Sequence, residues 1–184
     1  MNKSRIAMIL GSILLFGVFL FPIWRITLYA PQYPSGLSMY IWVDKITDEN
    51  ALKNINILNH YVGMQMIEPD SIPELTYFPI IIYIMAALGI ITAFINRRKV
   101  YLSWLILMIL LGIAGMYDFY LWEYDYGHNL SDTAPIKVPG QAYQPPLIGG
   151  KWLLNFYAES LPHWGALFFS LPMLLAAFSF WKKK

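Results

Sequence analysis

The stretch YFPIIIYIMAALGIITAFINRRKVYLSWLILMILLGIAGMYDFYL, Tyr77–Leu121, decides the fold. It contains two apolar runs, Tyr77–Ile95 and Val100–Leu121, and each approaches the ~20 residues that a helix needs to cross a ~30 Å hydrocarbon core. Between them lies only Asn96-Arg97-Arg98-Lys99. Four residues with three cations make a tight turn and a strong marker of the cytoplasmic side. The pair therefore reads as a transmembrane helical hairpin.

Working outward, two further runs of the same kind appear, Ile6–Trp24 and Pro162–Trp181. The sequence thus predicts an all-α membrane protein of four transmembrane helices in a single domain, with spans at about 6–24, 77–95, 100–121 and 162–181. Composition agrees: 58% of residues are hydrophobic and 13% charged, against roughly 45–50% and ~25% in soluble domains. Lys3 and Arg5 before the first run also suit a secretory signal. Its apolar core exceeds the ~7–15 residues of such signals, and Leu28-Tyr29-Ala30 is a poor cleavage site, which favours an uncleaved anchor.

Eight of the 13 Lys and Arg residues (Lys3, Arg5, Arg97, Arg98, Lys99, Lys182, Lys183, Lys184) fall at one side of this arrangement, whereas all 11 acids fall on or beside the other. The positive-inside rule puts both termini in the cytoplasm. Function is then confined to two outer segments, 25–76 and 122–161. In the first, alternation of Ile26, Leu28, Leu37, Met39, Ile41 and Val43 about Pro31–Gly36 predicts a β-hairpin. A short helix beginning at Thr47-Asp48 and ending near Gly63 follows, with Ala51, Leu52, Ile55, Leu58 and Val62 as its apolar stripe. Hairpin and helix form a small extracytoplasmic cap. The second segment carries Pro135, Pro139, Gly140, Pro145, Pro146, Gly149 and Gly150 and reads as an ordered irregular loop. After it, Lys151–Glu159 (KWLLNFYAE) has the aromatics of a short interfacial helix.

Several classes of chemistry are excluded. With no cysteine, disulfides, thiolate metal sites and iron–sulfur clusters fall away. A net charge of +2 without a basic stripe argues against nucleic acid. No HExxH, Gly-rich phosphate loop or GxSxG occurs, so no enzymatic activity is expected. Ionisable residues are missing from the span centres, which argues against an ion path.

What remains is ligand chemistry. In Asn59-His60-Tyr61-Val62-Gly63-Met64-Gln65-Met66, His60 and Met64 are four apart, and Met66 follows closely. Imidazole with thioethers suits copper, above all Cu(I). His128, in Trp122-Glu123-Tyr124-Asp125-Tyr126-Gly127-His128, supplies a second imidazole, and Asp118 or Asp125 could orient one. In the competing reading, His60 is a hydrogen-bonded cap, the methionines fill an interface, and His128 is a polar loop residue under an aromatic belt. His163, after Pro162, reads as the start of a helix rather than as a ligand.

Phe21–Ile26 (FPIWRI), Ala30–Pro34 (APQYP), Leu58–Met64 (LNHYVGM), Trp122–Leu130 (WEYDYGHNL) and Ile136–Gly149 (IKVPGQAYQPPLIG) resemble a family of small membrane proteins encoded beside nitrous oxide reductase, among copper-handling maturation proteins. The resemblance implies an accessory role in maturing or supporting a copper enzyme outside the cytoplasmic membrane; it implies no ligand set. The expectation is a membrane-anchored accessory protein of the bacterial inner membrane. It would bind copper transiently at its outer face through His60, Met64, Met66 and His128, with a periplasmic copper enzyme or other maturation proteins as partners. The alternative is a metal-free docking subunit of a membrane or periplasmic complex.

Overall fold

The computed structural model describes residues 2–46 and 49–183. The predicted helix start at Thr47-Asp48 lies outside the described residues.

The chain opens with helix α1, Lys3–Leu14, whose first turn is capped by the Asn2 side chain accepting from the Ser4 N–H at 3.4 Å. A tighter 3₁₀ turn, Leu15–Phe19, continues it. The backbone then leaves helical geometry before Pro22, and strand β1 (Trp24–Ala30) begins at residues favouring extended chain: Trp24, Ile26, Thr27 and Tyr29. Strand β2 (Tyr33–Ile41) returns antiparallel, with Trp24 opposite Ile41 and Ala30 opposite Tyr33. Helix α2, Glu49–Val62, ends at Gly63, whose φ of +84° is the left-handed conformation that terminates helices.

Helix α3 (Glu74–Ile95) and helix α4 (Arg98–His128) form the expected hairpin. Asn96 makes the bend with φ +52°, a conformation that its short polar side chain tolerates, and its N–H caps the Thr92 carbonyl at 3.0 Å. Strands β3 (Gly149–Leu153) and β4 (Phe156–Pro162) follow, and β4 runs directly into helix α5, Trp164–Lys182.

Three expectations are overturned. The protein is not all-α: β1 to β4 form one antiparallel sheet in the order β2-β1-β4-β3. Among the described residues three helices, α3, α4 and α5, are long and apolar enough to cross a membrane, not four. The first apolar run, 6–24, gives up its last residues to the bend and the sheet; Ile23 already donates to the Ile41 carbonyl at 2.8 Å and accepts from the His163 N–H at 3.0 Å. The interfacial helix expected at Lys151–Glu159 is instead the β3–β4 hairpin, which turns at Leu154-Asn155 with Leu154 at φ +56°.

The helices pack through small residues. Ser12 lies against Gly89, Gly11 against Pro172 and Leu175, and the Ser179 hydroxyl donates to the Ser4 carbonyl at 2.9 Å, the kind of close approach that bilayer helices use where water drives nothing. Met8, Leu15, Val18, Met85, Trp104 and Met108 fill the centre. Ile80, Ile91, Phe94, Ile113 and Leu174 face outward, an apolar surface suited to lipid. At one end Arg5 donates to the Phe94 carbonyl at 3.1 Å, and Arg98 sits 4.5 Å over the Phe180 ring. The basic turn, the start of α1 and the end of α5 therefore gather there, and the sheet stands at the opposite end.

Candidate functional site: an acid buried in an apolar cap cavity

Helix α4 has 31 residues, or ~46 Å at 1.5 Å per residue, well beyond a ~30 Å hydrocarbon core. Its first ~20 residues suffice to span. The last three turns rise into the cap, where Phe119, Trp122 and Tyr126 pack with Ile26, Met39, Leu52 and Ile55 from the sheet and α2. Phe119, Trp122, Glu123 and Tyr126 are spaced i, i+3, i+4 and i+7, so Glu123 falls in the middle of the inward stripe.

The space enclosed by the sheet face, α2, the end of α4 and the loop 129–148 is a cavity of about 480 Å³, within the range of small-molecule sites. Its walls are mostly aliphatic and aromatic. Exposed Gln32, Tyr61, Ile136 and Asn155 rim it.

Hydrogen bonds hold the walls in place. The Ser131 N–H donates to the Gly63 carbonyl at 2.7 Å, Ile136 to Tyr61 at 2.9 Å and Tyr143 to Gly127 at 2.8 Å, so the two segments that flank the spans form one body. Gly127 is required for this closeness, because a Cβ there would collide with the Gln144 backbone. The Asn56 side chain accepts from the Ile67 N–H at 2.8 Å and donates to its carbonyl at 3.1 Å. This pair fixes the segment after α2.

Two residues of the cavity lining carry buried polar groups without partners. Glu123 is fully buried, and neither carboxylate oxygen has a hydrogen-bond partner; the Tyr143 hydroxyl, on a residue 1% exposed, has none either. Buried polar groups are normally satisfied, so each such exception calls for an explanation. Among the described residues no Lys, Arg or His side chain lines the cavity. Desolvation without a counter-charge pushes the Glu123 carboxyl from 4.5 up to about 8, so it is mostly neutral at pH 7. Burial likewise raises the Tyr143 hydroxyl.

Comparison with protein-family models, with curated proteins and with solved structures finds no match. The site stands on its own geometry.

The residues singled out from sequence fall around this cavity rather than in it. Met64 is half-buried and lines the wall, whereas His60, Met66 and His128 are exposed. The His60 ring meets Tyr61 edge-on at 6.3 Å. His128 stacks on Tyr124 at 4.0 Å, and its Nδ1 lies 3.0 Å from the Tyr124 carbonyl. Asp118 is half-buried and Asp125 exposed. His163 caps α5 and packs edge-on against Tyr40 at 5.4 Å. Among the described residues, no group of three or more His, Asp or Glu side chains is placed to share a metal ion. Sequence reasoning passed over Glu123 and Tyr143; the aromatic i, i+3, i+4, i+7 stripe was the signal that could have found the acid.

Proposed function

We propose that this chain is a membrane-anchored accessory protein that works by binding rather than catalysis, with the cap cavity as its working site on the extracytoplasmic side. The observation that carries this reading is the largely apolar cavity with an unpartnered acid in its lining. Retaining a buried, unpaired carboxyl is costly, and a ligand that meets it offsets the cost. The clustering of Lys3, Arg5, Arg97, Arg98, Lys99, Lys182 and Lys183 at the far end supports the sidedness. The resemblance to proteins encoded beside nitrous oxide reductase supports a role, from the inner membrane of a bacterium, in sustaining that periplasmic copper enzyme.

The test combines a filled cavity with two readouts. Ala30→Phe puts a ring into the cavity from β1. Native mass spectrometry of the purified wild type should show a retained small molecule that the variant lacks, and cells carrying the variant should reduce nitrous oxide more slowly. A wild type that retains nothing, together with full activity in variant cells, refutes the reading. Because the chain has no cysteine, single cysteines at Lys137 and Lys99 report sidedness: an impermeant thiol reagent should label the first in intact spheroplasts and not the second.

One observation favours copper as a second reading. The Tyr124 carbonyl can only accept, so His128 Nδ1 is the donor, and Nε2 is left as the nitrogen that would meet a metal, the orientation of a metal-ligating imidazole. Its chain segment is joined to that of His60 through the Ser131–Gly63 bond. Copper titration of the wild type against a His60→Ala, Met64→Ala double variant decides it; equal stoichiometry and affinity in both remove copper from those residues.

A further inference from the structure

Among the described residues Glu123 is the one acid in the cavity lining, and the side chains that line it from each neighbouring element are uncharged. Strand β1 presents aliphatic side chains, β2 presents Tyr33 and Met39, α2 presents Asn59 and Tyr61, the loop presents Tyr143, and the β3–β4 turn presents Asn155. Aromatic rings share the lining with the acid: Trp122 and Tyr126 with centroids 4.4 Å apart, and Tyr143 stacked on Phe156 at 6.2 Å. A lone buried acid among aromatic rings is the complement of one kind of guest. The rings attract a cation through their quadrupoles, the carboxylate pairs with it, and the aliphatic walls accept its hydrocarbon portion.

We propose that the cap cavity binds an organic cation, an amine or quaternary ammonium with an apolar body, by pairing it with the Glu123 carboxylate inside the aromatic wall. This rests on the reading of the cavity as the working site and specifies what it takes. A metal ion is a poorer fit, because the walls offer few oxygens to replace its hydration shell. A neutral apolar guest would leave the acid unpaired.

Binding is then linked to proton release. With the empty-site carboxyl at about 8, about one site in ten is ionised at pH 7 and about one in a hundred at pH 6. Apparent affinity therefore tightens roughly tenfold from pH 6 to pH 7 and levels off above about pH 8. Each cation bound at pH 7 expels about 0.9 proton.

The probes are benzyltrimethylammonium and its uncharged isostere neopentylbenzene, titrated calorimetrically into full-length protein in maltoside micelles. Two buffers of different ionisation enthalpy report the proton. Wild type should bind the cation with release of about one proton, and Glu123→Gln should bind it at least about tenfold more weakly with none. Because Gln matches the neutral acid in shape, its thermal unfolding at pH 5 serves as the folding control, and Tyr143→Phe keeps the acid while altering the wall. Equal cation affinity in wild type and Glu123→Gln, or equal affinity of wild type for the two probes, overturns the cation assignment but leaves the cavity reading standing. Failure of wild type to bind either probe, with no difference between it and Ala30→Phe, overturns both.

Discussion

Replacing Glu123 by Gln changes how stability depends on pH, and the structure sets both sign and size. The carboxyl lies near 4.5 in the unfolded chain and is raised to about 8 by burial in the folded one. A group whose folded value is raised keeps the folded state more protonated than the unfolded state. Its favourable contribution is fully present below pH 4.5 and drains away as pH climbs towards 8. At ~1.36 kcal/mol per pH unit, the loss between pH 5 and pH 8 is roughly 4 kcal/mol. For a chain of this size that corresponds to a fall in Tm on the order of 10 °C. Gln cannot ionise, so the variant lacks this slope. The assay is thermal unfolding in maltoside micelles, followed by tryptophan fluorescence at half-unit intervals from pH 5 to pH 8.5. The two proteins should be closest at pH 5 and diverge steadily, with the variant more stable at pH 8. Parallel curves across that range would refute the account of Glu123 as a buried, unpaired acid.

Three other outcomes follow from the packing. Gly127→Ala should loosen the loop docked on α4, because its Cβ meets the Gln144 backbone; a net cost of about 1–3 kcal/mol and faster tryptic cleavage at exposed Lys137 are expected. Asn56→Ala removes both hydrogen bonds to the Ile67 backbone and should cost ~1–3 kcal/mol, with faster amide exchange at Ile67. By contrast, Arg25→Ala breaks a 3.2 Å ion pair with Glu159 whose side chains are 33% and 28% exposed. It should cost at most about 1 kcal/mol, visible as a Tm change of no more than ~4 °C.

The parts of the fold that were legible in the sequence are those governed by nearby residues. The α3–α4 hairpin follows from two apolar runs and a cationic turn, and the β1–β2 hairpin from an alternation that the structure carries over Ile26 to Ile41. The first run was misread for a non-local reason. Nineteen apolar residues satisfy the length rule, but Trp24–Tyr29 pairs with β4 residues more than 125 positions away, and that pairing outweighs helix continuation. The β3–β4 hairpin was hidden differently. Its two-residue turn has Leu154, not Gly or Asn, in the left-handed conformation, so the usual turn signal was missing and the aromatics suggested an interface instead. At the site, Asp118, Asp125 and His128 drew attention by chemical type. Glu123 matters by position, and that position counts only once the loop carrying Tyr143 closes over it.

The pairing of β1 with β4, and of α1 with α5 below them, also sets the order in which the protein can be made. Strand β1 meets one neighbour within a few residues and must wait for the other until β4 is synthesised, some 115 residues after β2. At ~5–20 residues per second this delay is on the order of ten seconds. During it, one edge of the first hairpin stays open, the kind of edge that invites wrong partners. Gly149 to Pro162 complete the sheet, and the cavity has its last wall only when they arrive. A nascent chain halted before that point would carry the buried acid's helix and half the sheet, with no enclosed site for a guest to enter. The cavity is thus closed only in a chain that has reached β4.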